Sequence, residues 1–295
     1  MQVVSTAMVA LYLRGVGGRP CSPRRWPLVL GAMRAAAVAS REDVAECLRE
    51  ASLEEEAGRL GDSSLWEAAR SLTEGDRVIT VAHEAYPSQW RRLGCGAPPA
   101  LWLEGAHPHP SKYVAIVGTR EPSKFLHQAV ETSVMQVAQM GYGIVSGGAR
   151  GVDRLAAQAA QRIGAPLLDI LPTIGHIPPG ARPCSTAQPG AYLSINPDGL
   201  VPGAAAFMER NALIYALGAL ALVFDPRFQT GGTWHGAIEA HRRCLTRLLV
   251  HESEAPGTKA LISLGLTPFK ADEGGIARAL AKEPIQTRLP AVEPW

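Results

Sequence analysis

Apolar residues along this chain fall into short runs rich in β-branched side chains, separated by stretches of helical spacing. Val114–Val117 is four consecutive apolar residues, the mark of a buried strand. It ends in Gly118-Thr119-Arg120, where the backbone must turn tightly. Over residues 124–140, Leu126, Val130, Val134 and Val137 recur on one helical face. Gly141 and Gly143 end that helix. Ile144–Val145 then predicts a second strand, which runs into Ser146-Gly147-Gly148-Ala149-Arg150-Gly151, with a helix from about Val152. Further apolar runs predict strands near 166–171, 219–224 and 246–250. Strands alternating with helical patterns predict an α/β core, a mostly parallel sheet flanked by helices.

The first 75 residues have a different pattern. Ala7, Leu11, Leu13 and Val16 lie around a glycine turn at Gly15–Gly18. Trp26, Val29 and Met33 make one apolar face. Ser40-Arg41-Glu42-Asp43 opens another helix, with Val44, Cys47 and Leu48 turned inward, and a last helix covers about Ser64–Leu72. Residues 1–75 are therefore expected to form a small helical N-terminal domain. Residues 76–270 form the main domain, in which 76–112 is a connector with edge strands at Gly75–Val81 and Leu101–Leu103. Residues 271–295 are expected to be a C-terminal tail.

Composition narrows the function classes. Apolar residues make up 46% and charged residues 19%, as in a folded globular chain. The formal net charge is +2, so any surface for nucleic acid must be a local basic patch. Cys21, Cys47, Cys95, Cys184 and Cys244 form no C-x-x-C pair, which predicts reduced thiols in a cytoplasmic protein. Ala212–Phe224 is too short an apolar run to cross a bilayer, and no secretion signal is read at the N-terminus. Histidines and carboxylates are scattered without metal-ligand spacing, and no triad or acid–base pair emerges. A binding protein is expected rather than an enzyme, with no catalytic residue, metal or cofactor assigned.

The chemistry lies in the loops after the strands. In a parallel sheet these loops share one rim, where ligands bind. Gly118, Thr119 and Arg120 form the first loop, and Ser146, Gly147, Gly148, Ala149, Arg150 and Gly151 the second. Gly231, Gly232 and Thr233 form a third, between the strand Leu220–Phe224 and a helix over Trp234–His241. Loops without Cβ atoms let backbone N–H groups approach an anion, and the following helix adds its positive end. Arg120 and Arg150 add a charged fork at two of the loops. Phosphate or nucleic acid is the ligand this predicts, although neither G-x-G-x-x-G nor a P-loop is present. The competing reading is that the glycines serve packing.

Other residues carry two readings each. Asp153 binds a ribose hydroxyl, or it accepts backbone N–H bonds in the first turn of its helix. Arg210-Asn211, read as the start of an apolar helix, belongs to a site or to the core. Trp234 stacks a base or packs over the sheet edge. His235 reads as an ordinary exposed group and Glu239 as a solvated helix residue.

The order of these motifs resembles the DNA-processing protein A family (DprA, also called Smf). Tyr86-Pro87, Trp90-Arg91-Arg92-Leu93, Pro98-Pro99 and Leu101–Gly105 lead into Val114–Arg120, then Ser146–Asp153 and Glu209-Arg210-Asn211. S-G-G-A-R-G-V-D matches the family's S-G-x-A-x-G-I-D, and G-T-R its G-S-R. The resemblance covers about residues 75–250. It implies a Rossmann-like fold of the SLOG superfamily, binding of single-stranded DNA, delivery of a RecA-type recombinase in natural transformation, and a homodimer. It also implies that Arg120 lies in the basic pocket that holds the DNA backbone.

Departures weaken that implication. The family's Gly-rich stretch with a Y-P pair, and its later S-E-x-P segment, are replaced by T-I-G-H-I-P-P-G-A-R-P-C-S-T-A-Q-P-G, where Arg182 remains. R-N-R-I-I-A-G-L appears as R-N-A-L-I-Y-A-L, with Ala212 in place of a basic residue, and S-G-S-L-x-T-A as T-G-G-T-W-H-G-A. Only about 25 residues follow Lys270, so the family's winged-helix tail is not expected here. Fewer basic groups neutralise fewer phosphates. The Gly231–Thr233 loop also resembles that of phosphoribohydrolase relatives, but Glu239 stands six residues after Thr233 rather than two. The alternative is therefore a small-nucleotide sensor or N-glycosidic hydrolase of the same fold, acting in phage defence.

Overall fold

The computed structural model describes residues 2–13, 25–34, 40–75, 77–91, 93, 96–105, 112–173, 190–196, 203–271 and 274–281. The Gly15–Gly18 turn, Arg182, Cys21, Cys95 and Cys184 lie outside them; Cys47 and Cys244 are free thiols. Contacts divide the chain into two compact units, one built on Met1–Leu103 and one on Glu104–Ser194 with Asp198–Ala291.

The first unit holds helices α1 (Gln2–Tyr12), α2 (Trp26–Arg34), α3 (Arg41–Glu50), α4 (Glu54–Leu60) and α5 (Ser63–Glu74). Local chemistry sets their starts. Ser40 caps α3 by accepting the Asp43 N–H, and the Asp43 carboxylate accepts the Ser40 N–H. Asp62 caps α5 through the N–H groups of Ser64 and Leu65. Met8, Leu11, Leu48 and Leu60 are fully buried among the helices. The sequence does not announce α4, because Glu54-Glu55-Glu56 masks the apolar face of Ala57 and Leu60. Glu56 is itself buried and takes both Arg25 Nε and Nη2, at 2.5 and 2.9 Å. Beyond the helices, β1 (Val78–Thr80) pairs antiparallel with β2 (Ala100–Gly105). The short α6 (Ser88–Arg91) lies between them. Trp90 of α6 is fully buried edge-on to Tyr86, whose hydroxyl donates to Pro98 O at 2.8 Å.

The second unit is a parallel sheet with helices. Its elements are β3 (Tyr113–Gly118), α7 (Lys124–Gln139), β4 (Gly143–Ser146), α8 (Val152–Arg162), β5 (Leu167–Leu171) and β6 (Gly190–Ser194). They continue with α9 (Ala204–Leu217), β7 (Gly218–Phe224), α10 (Gly231–Arg242), β8 (Arg247–His251), α11 (Pro256–Ser263), β9 (Thr267–Phe269) and α12 (Gly275–Leu280). The strand order is β6-β5-β4-β3-β7-β8-β9, and every pair in that series is parallel. All five predicted strands of the core are present. The two unpredicted ones, β6 and β9, lie at the two ends of this series.

This order fixes where a ligand can sit. The chain winds outward from β3 through β4, β5 and β6, returns through α9, and continues from β7 outward on the other side. Between β3 and β7 the winding reverses, so their carboxyl-end loops diverge and leave a crevice. Val130, Val134 and Val137 of α7 and Ala156 and Ala160 of α8 pack on Ile116, Ile144 and Leu222 beneath that edge. Each fully buried Val or Leu contributes about 1.5–3 kcal/mol.

Gly118 sits where β3, β7 and α8 meet. A Cβ there would come within 2.6 Å of both Phe224 O and Val152 Cγ2. Phe224 O also accepts the Thr119 N–H at 3.0 Å, so the backbone has no room to retreat. Gly118→Ala should lower unfolding stability by about 1–3 kcal/mol through overpacking, read as a shift of the urea midpoint at unchanged slope. A midpoint equal to that of the parent chain would mean the three elements are not tightly packed at this point.

Candidate functional site

The crevice at the reversal point encloses about 300 Å³. The first loop contributes Gly118, Thr119 and Arg120 to its lining, and the second contributes Ala149, Arg150 and Asp153. Gly231, Gly232 and Thr233 line it from the third segment, and Arg210 and Asn211 from α9. These residues, spread over more than a hundred positions, are thus brought together.

The remaining candidates do different work. Ser146 is buried, and its hydroxyl donates to Ile116 O at 2.7 Å, tying β4 to β3. Gly147 is packed directly against the Arg210 guanidinium and the Asp153 carboxylate. Gly148 and Gly151 have φ of +62° and +85°, and a Cβ on them would collide with Leu171 and with the Thr119 carbonyl. For these three glycines close packing accounts for the residue type.

Two placements differ from the sequence expectation. Gly231, Gly232 and Thr233 are the first turn of α10, not a loop before it. The glycines hid that turn, because such a sequence reads as a breaker. Thr230 supplies no side-chain cap, and the Thr233 hydroxyl donates to Gly118 O at 2.8 Å. The first-turn N–H groups of α10 therefore border the crevice beside β3. Arg210 is likewise not at a helix start. It lies in the middle of α9 and is 5% exposed.

Asp153 organises the floor. Its carboxylate accepts N–H bonds from Gly147 at 3.2 Å and Ala149 at 3.4 Å, and the Gly118 N–H of the first loop also favours its charged form. Asp169, at the end of β5, is 2% exposed and accepts the Gly148 N–H. The Arg210 guanidinium offsets the charge of both carboxylates. Among the described residues, Arg210 Nε, Asp169 Oδ1 and Tyr215 Oη have no hydrogen-bond partner. Burial pushes both carboxyls up, and Asp169 reaches about 7 because burial and then the like charge of Asp153 outweigh Arg210.

The rim above is basic. Glu121 holds Arg150 at 3.2 Å and Arg227 at 2.5 Å. Arg120 is exposed and makes no ion pair among the described residues. Asn211 Nδ2 donates to Gly232 O at 3.3 Å and so braces α10. Arg227, Phe207, Thr230 and Tyr215 also line the crevice and were not read from the sequence. Arg227 had a signal, since it precedes Gly231 within one short loop. Trp234 is buried, His235 is exposed, and Glu239 pairs with Arg243 along α10 at 2.9 Å. Among the described residues no cluster of metal-ligating side chains occurs, and no helix is long and apolar enough to cross a membrane.

A parallel sheet with a crevice at its reversal point, bordered by arginines and a helix start without a side-chain cap, defines a protein of Rossmann-like fold. The chain belongs to the DNA recombination-mediator protein A family, whose family model matches residues 77–272. It is similar to a DNA processing protein DprA of Mycobacterium tuberculosis, 27% identical over 180 residues, covering 54% of this chain and 46% of that one. The chain spans about half the length of the curated relatives it matches. Among solved structures, DNA processing protein A from Streptococcus pneumoniae superposes with a TM-score of 0.66 at 16% identity, covering 92% of this chain and 95% of that one. The DNA processing protein A from Helicobacter pylori, described for its single-stranded DNA binding mode, gives 0.54 at 26% identity, covering 65% of this chain and 89% of that one.

The carboxyl–arginine cluster makes stability depend on pH. A carboxyl raised in the folded state stabilises the fold while protonated. That contribution is full below the ordinary value of 3.8 and is lost as pH rises towards about 7. Asp169→Asn removes the titration and keeps the shape. The loss of melting temperature between pH 5 and pH 8 should therefore be smaller in the variant by several degrees, at about 2–4 °C per kcal/mol. Parallel melting curves for the two chains across this range would show instead that Asp169 does not titrate there.

Proposed function

We propose that the crevice holds single-stranded DNA by its phosphates. In this reading the chain acts in DNA processing and recombination in the cytoplasm. It delivers a RecA-type recombinase onto the strand during natural transformation, and it works as a homodimer. One observation carries the reading: three arginines, Arg120, Arg150 and Arg227, border the mouth of a crevice at the reversal point of a parallel sheet. Arg120 makes no ion pair among the described residues, Arg150 and Arg227 share the single carboxylate of Glu121, and planar guanidinium forks match phosphate oxygens. Family membership and the single-strand binding described for the Helicobacter pylori protein support the same ligand.

The homodimer rests on the resemblance. The apolar stretches Ala212–Leu217 and Leu245–Val250 offer no spare face for a subunit contact in Leu213, Ile214, Leu217, Leu248 and Leu249, which belong to the buried core. A second ligand has one observation in its favour. The enclosed 300 Å³ is at the lower end of small-molecule sites, which run from about 300 to 1,000 Å³, so a mononucleotide phosphate would fit the same loops.

Arg120 separates these readings from a structural role. Arg120→Ala should weaken binding of a fluorescent oligo-dT by about 1.5–3 kcal/mol, the range for a hydrogen bond to a charged group. Arg120→Lys should recover only part, since it keeps the charge and loses the fork. The melting curve should hold within about 0.5 kcal/mol, as for exposed side chains. Binding by the parent chain should fall steeply with salt. A thermal shift with mononucleotides, and none with oligonucleotides, would replace DNA by a small nucleotide. Unchanged affinity for both in folded Arg120→Ala would remove Arg120 from the site.

A further inference from the structure

Trp234 is the aromatic that the sequence offers for stacking a base, and the structure covers it. Its side chain belongs to the buried set, 7% exposed, and Phe228 stands against it edge-on with ring centroids 5.3 Å apart at 75°. Phe228 itself is 48% exposed. It occupies the turn between β7 and α10, closed by the Thr230 N–H donating to Arg227 O at 3.2 Å, with Gln229 held at φ +52°. Arg227 and Thr230, on either side of it, both line the crevice. Arg227 is held in turn by Glu121.

These contacts give Phe228 three properties together. Its ring is supported from beneath by a buried tryptophan. Its backbone is fixed by a hydrogen-bonded turn. About half of its surface nevertheless remains in water, beside a phosphate-sized basic mouth. A cover for Trp234 needs only apolar bulk, which leucine or methionine supplies. An aromatic ring also offers π-surface for a base, and this one follows Arg227 directly in the chain, at the edge of the crevice that Arg227 and Thr230 line. We infer that Phe228 is a stacking platform for an unpaired nucleobase whose adjoining phosphate lies among Arg120, Arg150 and Arg227. The inference rests on the reading of the crevice as a single-strand site. It adds a reason for preferring single strands: bases in a duplex are already stacked, and their faces are closed to a ring.

Four chains test it: the parent, Phe228→Ala, Phe228→Leu and Phe228→Trp. Each is titrated into labelled oligo-dT and into an abasic oligonucleotide of equal length, which keeps the phosphates and lacks the bases. Phe228→Ala should lose about tenfold in affinity for oligo-dT, within the range for stacking one base on an aromatic. Its affinity for the abasic strand should be unchanged. Phe228→Trp should bind oligo-dT as the parent does, and its added indole should be quenched on binding. Phe228→Leu should behave as the alanine chain. Leu and Trp both cover Trp234, so their comparison decides the matter even where alanine loosens the fold. Equal losses on both strands, or a leucine chain as tight as the parent, would overturn the stacking role and leave the phosphate reading intact. A parent chain that binds neither strand would overturn both.

Discussion

The Asp153 carboxylate ties the site together. It accepts N–H bonds from Gly147 and Ala149 in the second loop, and the Gly118 N–H of the first loop also favours its charged form. Both loops leave strands whose directions the sheet has already set, so the carboxylate has only to close the gap between them. Burying an unpaired carboxylate would be prohibitive, and a hydrogen bond to a charged group contributes about 1.5–3 kcal/mol. The Gly147 and Ala149 N–H donors and the neighbouring Arg210 make burial tolerable. In return the loops are fixed relative to each other, and Arg120 and Arg150 project from a rigid base. The position read from the sequence as either a sugar ligand or a backbone acceptor is therefore a backbone acceptor that also borders the crevice.

Asp153 and Asp169 share one arginine, and that imbalance explains why the floor titrates. Two carboxylates and one guanidinium in a buried space carry a net negative charge when all are ionised. Holding one proton restores neutrality, and Asp169, with an oxygen lacking a partner, is where the proton is most easily kept. The unpartnered Nε of Arg210 and hydroxyl of Tyr215 belong to the same cluster. Such groups are exceptions in buried regions, and three of them meet in this one cluster beneath the crevice.

Much of the fold was legible because its strands are nearly uniform apolar runs. Val114–Val117 and Leu220–Phe224 are buried on both faces, and only a covered parallel sheet asks for that pattern. What stayed hidden was short or mixed. β6 begins at Gly190 directly after a Pro- and Gly-rich stretch, and β9 is three residues long with a proline at its centre. The glycines in the first turn of α10 suggested a loop. In the site, G-T-R and S-G-G-A-R-G-V-D were legible because small residues and arginines rarely coincide by accident after a buried strand. Phe228 was not, since a loop between known elements has no periodicity to read, and the one signal for Arg227 was its place shortly before Gly231. Whether an aromatic is a cover or a surface depends on which ring lies above the other, and sequence does not order Phe228 over Trp234.

The glycines of the second loop have packing roles that the sequence leaves open. From sequence, Gly147, Gly148 and Gly151 suggest backbone approach to a phosphate. In the structure each is required by protein packing: against Arg210, against Leu171, and against the Thr119 carbonyl. The Gly147 and Ala149 N–H groups that a phosphate would use are already bonded to Asp153. Backbone capacity for an anion lies instead at α10, whose first turn has no side-chain cap and whose Gly231 has open space where a Cβ would stand. The crevice is therefore asymmetric. On the α8 side a carboxylate occupies the anion position and the arginines lie at the rim. On the α10 side the first-turn N–H groups, without a side-chain cap, border the crevice. Under the proposed phosphate ligand, Arg120 and Arg150 would supply the attraction and the β7–α10 side the orientation, next to the turn that carries Arg227 and Phe228.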